Sequence, residues 1–407
     1  MSTLGRYRAS ILLGALGDTI GYHNGDWEFC YNTKKIRHEF DHEGGITKID
    51  ISNLIVSDDT VLHLATIRAL IRGSHLTQED EIQVATEEFL ESYYNDMFRR
   101  APGSTTGQSM ALLKKGIHPQ SNLEHKTCGG AMRASAIGLR YHSEEDYILL
   151  LWTSIEYCRL THNGPIAYMG SFFNALFTSF AINSVPVNQW IRKAIETYPS
   201  VAEYIEEIDT SKKTMDYIKW IYAFLKTYQD FRFPSEEEMP GRDPNSPDFI
   251  DMSYEEDPDH MDEIYTSLSL EPDGKTSWSG SCGISSVLIA YDALLYAIYD
   301  NSLYKTSDHE TIYKNPDRID PEFFKNAWYL TVLCGMLHSG DNDSTGIIIG
   351  GWYGALFGAR GVTKNLIEKV EYLDEMWDLA KQLHEISNTN TNINTNIDTS
   401  IDNIPSS

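Results

Sequence analysis

The chain has 407 residues, 41% apolar and 23% charged, which is enough for one large folded domain or two medium ones. Its 59 Asp and Glu against 33 Lys and Arg give a formal charge of −26, which argues against a nucleic-acid partner, since that role needs a basic surface. An anionic ligand stays open to it, because backbone N–H groups and helix N-termini bind anions without side-chain charge.

The five cysteines (Cys30, Cys128, Cys158, Cys282 and Cys334) are scattered and form no CxxC pair, so neither a disulfide framework nor a zinc site is expected. The first 22 residues carry a short apolar run without a cleavage signal, and no stretch reads as long enough to span a bilayer. A reduced, cytoplasmic chain, extending to the nucleus, with no membrane partner is expected.

In chain order, helical periodicity predicts helices near 61–73, 131–141, 146–160, 166–182, 212–228, 321–337 and 364–386. Ile284, Val287, Leu288, Tyr291, Leu295 and Ile298 mark one further buried helix face at steps of three and four. Strand signals are weak, so the fold class predicted is all-α. Residues 229 to about 275 are rich in Asp, Glu and Pro and read as an acidic surface insertion, partly disordered. One domain over 1–386 is expected, with 387–407 as a polar low-complexity tail. Gly346, Gly350, Gly354 and Gly358 recur every four residues and would share one helix face. Each costs about 1 kcal/mol of helix stability relative to alanine, so another backbone is expected close against them.

Two acidic clusters carry the chemistry. Ser57-Asp58-Asp59-Thr60 opens an apolar helix, and Ser57 or Asp58 would cap it. A cap does not explain two adjacent carboxylates near a core, where like charges resist ionisation unless a cation joins them. Asp341-Asn342-Asp343-Ser344-Thr345 resembles the start of a calcium loop. The twelfth position from Asp341 is Trp352, not the required Glu, so that loop is excluded. Here too a helix N-terminus, capped by Asp343 or Ser344, is the plainer reading. Together the clusters offer four carboxylates plus hydroxyls, a hard-oxygen set suited to magnesium, manganese or calcium.

GALGDTIGY at 14–22, SDDT at 57–60, CGGAMR at 128–133, THNGPIAYMGS at 161–171 and GDNDSTG at 340–346 occur in an order that resembles the ADP-ribosylglycohydrolase family, over most of residues 5–384. GLRYHSEE, THN and IAYDALL make it look like the arginine-type members. The resemblance implies a compact orthogonal all-α fold with two Mg2+ in a central cleft. The metal ligands it implies are Ser57, Asp58, Asp59, Asp341, Asp343 and Ser344, with Thr345 at a motif position, and the catalytic residues are Asp58 and Asp59, one of which orients or deprotonates a water. It also implies that Gly129, Gly130, Ala131 and Met132, at a helix starting near Ala131, meet the diphosphate of ADP-ribose. Arg133 is read as a helper there or as structural. His162 would border the ligand as a binding residue rather than a base, and Tyr22 and Trp27 would line the leaving-group side. Asp18 either supports the metal ligands from behind or stabilises a Gly-rich bend.

The implied reaction is removal of ADP-ribose from arginine on modified proteins by a monomer; hydrolysis of serine-linked, poly- or O-acetyl-ADP-ribose, or non-catalytic ADP-ribose binding, are the alternatives. Serine-type relatives carry Glu four residues after the second Gly of GDxxG, where this chain has Gly25, with Asp26 and Glu28 nearby. That departure disfavours the serine type. The loop SWSGSCGISSV at 277–287 departs from the more basic, Gly-rich loop of arginine-type relatives, so no contacts carry over to it.

Overall fold

The computed structural model describes residues 2–233, 258–299 and 309–389. Among these residues the regular structure is helical throughout, with only two isolated β-bridges, Thr127 to Cys282 and Leu270 to Thr276. In chain order the helices are α1 (Thr3–Tyr22), α2 (Thr33–His42), α3 (Asp58–Gly73), α4 (Gln78–Asn95), α5 (Ser104–Leu113), α6 (Ser135–Arg140), α7 (Tyr147–Arg159), α8 (Pro165–Ile182), α9 (Trp190–Glu196), α10 (Tyr198–Ile208), α11 (Lys212–Arg232), α12 (Pro258–Ser267), α13 (Gly283–Tyr299), α14 (His309–Lys314), α15 (Pro321–Gly335), α16 (Asn342–Phe357), α17 (Lys364–Ile367) and α18 (Leu373–Thr389). The all-α expectation holds.

The centre of the fold is the pairing of α1 with α16. Their facing middle turns are mostly small or apolar, and Leu13, Leu16, Ile20, Ile348, Ile349 and Trp352 are buried. Gly346, Gly350 and Gly354 lie against the backbone of α1 at Gly17, Leu13 and Ala9, and Gly14, Gly17 and Gly21 return the contact. The expected close backbone is therefore α1. Gly358 does not belong to the stripe: it is the C-cap of α16, with φ 67°. The apolar run at the N-terminus is thus a 20-residue core helix. Its glycines hid it from a periodicity reading.

Several boundaries differ from expectation. The helix expected over 131–141 begins only at Ser135. The Ala131 carbonyl accepts from Asn174 Nδ2 at 2.6 Å, and Arg133 folds back to donate to Gly129 O, so the chain turns before it winds. The helix expected over 364–386 is split into α17 and α18. α17 ends at Ile367, and Tyr372, immediately before α18, takes a left-handed φ of 61° while its hydroxyl accepts from Arg100 Nη2 at 2.6 Å. Part of the acidic insertion packs on the body: in α12, Met261 and Tyr265 are buried and Asp262 accepts from Thr33 Oγ1 at 2.7 Å. The rest of it, 234–257, and the tail beyond 389 lie outside the described residues. Helices α2, α4 and α5 fall where none was expected. Contrary to the reading that no stretch could span a bilayer, α8 is 18 residues long and apolar enough by composition, but 94% of that window is buried within the fold. It is packed against α6, α7, α13 and α16 as a core helix.

Candidate active site

The first acidic cluster is placed by α1 acting on α3. Asp18, in the last turns of α1 and wholly buried, accepts from Ser57 N at 3.0 Å and from Thr60 N at 3.1 Å. It caps α3 from a neighbouring helix, so it lies behind the cluster and on a helix, not in a Gly-rich bend. Ser57 caps its own helix, its Oγ accepting from Asp59 N at 3.1 Å. Asp58 and Asp59 follow in the first helical turn, where the dipole favours negative charge.

The second cluster opens α16. Asp341 holds the N-cap position but makes no side-chain cap bond, so the expectation of an Asp343 or Ser344 cap is not met. Asp343 instead accepts from Ser344 N at 2.9 Å, and Ser344 Oγ donates to Asp59 Oδ2 at 2.8 Å. That bond joins residues 285 positions apart and ties the two clusters together.

A third contributor is Glu28. After α1 the chain reverses through His23, Asn24 and Gly25, all at positive φ. Asn342 Nδ2 then donates to the Trp27 carbonyl at 3.2 Å, which pins the next residue beside α16. Carboxylate oxygens of Glu28, Asp341 and Asp343 lie within 4.8 Å of one another. A cleft of about 250 Å³ opens over these groups. Glu28, Asp58, Asp59, Asp341, Asp343 and Ser344 line one side; Thr127, Cys128, Gly129, Met132 and His162 line another, and the segment from Ala101 to Thr106 with Ser281 completes the wall.

Burial dominates the electrostatics. It pushes Asp18 up to about 7 and Glu28 up to about 11, and raises Asp58, Asp59 and Asp341 well above the usual carboxylate range, with the Asp343 charge as the next cause in each case. Asp343 is itself raised by burial. Glu28 Oε2 is buried with no hydrogen-bond partner. So many converging carboxylates, one of them with an unpartnered oxygen, fit a divalent cation: hard oxygen donors that cannot share negative charge cheaply unless a cation joins them. Cys128 adds a thiol, 3.2 Å from Asp341 Oδ2 and 3.3 Å from Ser344 Oγ, kept protonated by burial and the adjacent carboxylates.

His162 is held between Thr161 Oγ1 at Nδ1 (2.8 Å) and Thr127 Oγ1 at Nε2 (2.9 Å). Burial, with Arg133 next, drives its pKa well below the usual value, so it faces the cleft as a neutral imidazole. Arg133 resolves as structural: fully buried, it donates to Gly129 O, Tyr157 O and Thr161 Oγ1 and does not line the cleft.

Of the candidate ligand contacts, Gly129, Met132 and His162 lie on the cleft wall, and Gly130, Ala131 and Tyr22 do not. A side chain on Gly130 would overlap Cys158, so packing rather than ligand access demands that glycine. The Tyr22 hydroxyl is spent on Arg99 O at 2.6 Å, and Trp27 is turned away, its indole donating to Glu39 at 3.1 Å. The phosphate argument built on a helix starting at Ala131 fails with that helix, since 128–130 is a single 3-10 turn. Sequence reasoning named Glu28 only as a carboxylate near Gly25, without placing it in the site, and missed Cys128 and the 101–106 wall. The last had a signal: PGSTTG at 102–107 is a small, hydroxyl-rich turn opening α5, the kind of helix N-terminus that receives anions.

An all-α body thus gathers two acidic helix ends into one cleft. The chain belongs to the ADP-ribosylglycohydrolase family, whose sequence profile matches residues 1–392. It is 32% identical over 410 residues to ADP-ribosylhydrolase ARH1 of Dictyostelium discoideum, covering 94% of this chain and 93% of that one. Among solved structures, a chain of an ADP-ribosylglycohydrolase-related protein complex shares the fold with a TM-score of 0.50 at 16% identity, covering 95% of this chain and 99% of that one. The protein is accordingly a hydrolase of ADP-ribosyl linkages.

Proposed function

We propose that the cleft hydrolyses the N-glycosidic bond between ADP-ribose and an arginine side chain, reversing protein mono-ADP-ribosylation, with two Mg2+ held by Ser57, Asp58, Asp59, Asp341, Asp343 and Ser344. The observation that carries this reading is the convergence of the two helix N-termini, closed by the Ser344–Asp59 hydrogen bond. Bound Mg2+ would neutralise the carboxylates and polarise the oxygens presented to it. Asp59, tied to Ser344, orients those oxygens. Asp58 faces the cleft without such a tie and takes the proton from the attacking water. Glycosidic cleavage builds positive charge on the ribose, and the ring of carboxylates is placed to stabilise it. Gly129, Met132 and neutral His162 form the wall available to the diphosphate.

One observation favours a second reading. Gly25 stands where serine-type relatives carry Glu, yet Glu28 brings a carboxylate into the cluster from the same loop. The departure at Gly25 therefore discriminates less than the sequence implied, and serine-linked ADP-ribose is the competing substrate. The deciding experiment compares ADP-ribose release from arginine-modified and serine-modified proteins across a Mg2+ titration, with wild type, Asp58→Asn and Glu28→Gln. The proposal expects Mg2+-dependent release from arginine, lost in Asp58→Asn. Release from serine alone, sensitive to Glu28→Gln, establishes the second reading, and no release from either substrate overturns both.

A further inference from the structure

Three aromatic rings gather at the rim of the cleft. Phe29 follows Glu28, which lines the cleft, and Tyr31 lies two residues further on. Both are exposed, at 51% and 71%, on the chain leading to α2. Each leans on one indole. Trp278 lies 6.3 Å from the Phe29 centroid with 20° between planes, and 5.3 Å from the Tyr31 centroid with 43°. Trp278 is itself held against the second acidic cluster. Its Nε1 donates to Ser339 O at 2.9 Å, and the next residue, Ser279, accepts from Asp341 N at 2.8 Å. Ser281, on the cleft wall, donates its N–H to Trp278 O at 2.9 Å. The indole is thus fixed beside the carboxylates, while the two rings resting on it stay open to solvent.

Packing explains little of this. Two exposed rings on a half-buried third cover only part of their apolar area, and contiguous aromatic surface of this kind marks a contact site. On the arginine reading above, the diphosphate lies along Gly129, Met132 and His162, and the scissile bond lies over the carboxylates. The polypeptide that carries the arginine then leaves the cleft at another edge, and Glu28 is the carboxylate whose own loop carries two of the rings. Building on that reading, we propose that Phe29, Tyr31 and Trp278 form a platform for the ADP-ribosylated polypeptide, which favours basic residues flanking the modified arginine. Aromatic faces attract guanidinium and ammonium groups. The local charge agrees. Asp26, in the same turn, is exposed, and Lys34 and Lys275, near the rings in sequence, are paired with Asp259 at 2.5 Å and Asp273 at 2.8 Å. With a formal charge of −26, the chain as a whole draws basic segments toward it.

Steady-state hydrolysis by the full chain with Mg2+ tests this on three substrates. They are ADP-ribosylarginine alone, and peptides modified on an arginine flanked either by Arg and Lys or by Asp and Glu. The variants are Phe29→Ser/Tyr31→Ser and, as the conservative pair, Phe29→Tyr/Tyr31→Phe, with far-UV circular dichroism as the check on folding. In wild type the basic peptide should have the lower KM. Phe29→Ser/Tyr31→Ser should raise that KM at least fivefold and abolish the preference, with kcat held within twofold and KM for ADP-ribosylarginine little moved. The conservative pair should keep the preference. Equal KM for the two peptides in wild type, or an unchanged KM in the serine variant, overturns the platform and leaves the arginine reading standing. A fall in kcat on all three substrates alike assigns the rings a structural role and overturns the platform too. Release of ADP-ribose from serine-modified protein, but from none of the three substrates, overturns the arginine reading and the platform with it.

Discussion

Two neighbouring glycines of α16 should respond to the same substitution with opposite signs. A methyl group at Gly346 would sit 2.5 Å from the Gly17 carbonyl oxygen of α1, and the atoms in its way are backbone. An ordinary carbon–oxygen contact is about 3.3 Å, so the two helices must part by roughly 0.8 Å along their most intimate stretch. Overpacking of this kind costs about 1–3 kcal/mol, and unyielding backbone puts Gly346→Ala near the upper end; helix propensity returns about 1 kcal/mol, leaving a net loss of about 2 kcal/mol. A methyl at Gly351 meets Ser135 Oγ at 3.4 Å, Ser135 Cβ at 3.7 Å and the Ser10 carbonyl oxygen at 3.8 Å, all ordinary contacts. Gly351→Ala should therefore keep most of the propensity gain, about 0.5–1 kcal/mol. At roughly 2 °C per kcal/mol for a chain of this size, the two variants should melt about 5 °C apart, with wild type between them. Thermal unfolding of the metal-free proteins, repeated in urea, measures this. If Gly346→Ala melts as high as Gly351→Ala, the backbones of α1 and α16 are not in contact and the account of the core fails.

Neutralising Asp343 should split stability from function. Its charge is a cause of the raised pKa of Asp18, Glu28, Asp58, Asp59 and Asp341, so Asp343→Asn should raise the melting temperature of the metal-free protein while removing the rise produced by Mg2+ and the hydrolysis, both read in one fluorimetry and activity series. Glu81, remote from the cleft, gives a pH signature. Burial raises its pKa from 4.5 to about 7 although Tyr157 donates to it at 3.0 Å, so between those values the folded chain holds more protons than the unfolded one and stability falls as pH rises. The whole effect is at most about 3 kcal/mol, and Glu81→Gln should flatten urea midpoints across that window. The Arg232–Asp292 pair is wholly buried, with Nε at 2.7 Å and Nη2 at 2.9 Å from the carboxylate. Asp292→Ala takes the carboxylate from the buried guanidinium and from the Tyr228 hydroxyl and should cost about 3–5 kcal/mol in urea unfolding, whereas Lys212, in an exposed i,i+4 pair with Asp216, should be replaceable by Ala at less than about 1 kcal/mol.

The helices with regularly spaced apolar residues were legible. Helices α3, α7, α8, α11, α13 and α15 fall within a few residues of the segments where apolar positions recur at about 3.6 residues, whether the helix keeps a polar face, as α11 does, or is buried nearly all round, as α8 and α13 are. Helix α1 was not legible. Helix α6 was shortened by a bond to Ala131 from Asn174, 43 positions away, which no local pattern records, together with the fold-back of Arg133 onto Gly129. The same division holds in the site. Asp58, Asp59, Asp341 and Asp343 are visible because each pair opens an apolar helix. Glu28 is not, because its place depends on three consecutive positive-φ residues and on a side chain, Asn342, more than three hundred positions away.

Why the two acidic clusters meet at all follows from the pair α1 and α16. Asp18 belongs to α1 and caps α3, so α1 fixes where Asp58 and Asp59 begin. Asp341 and Asp343 open α16, which the glycines hold against α1. A methyl at Gly21 would sit 2.7 Å from Asp343 N, so the contact runs to the cluster itself. The separation of the clusters is therefore set by one backbone-to-backbone interface and not by the length of chain between them. That is a physical reason for tolerating so many helix-weakening glycines: side chains along this seam would spread it, and a spread seam would move one set of carboxylates away from the other. The repulsion built up by the converging helix ends is concentrated where a cation can relieve it, and the stiff seam beneath keeps the ends from relieving it by drifting apart.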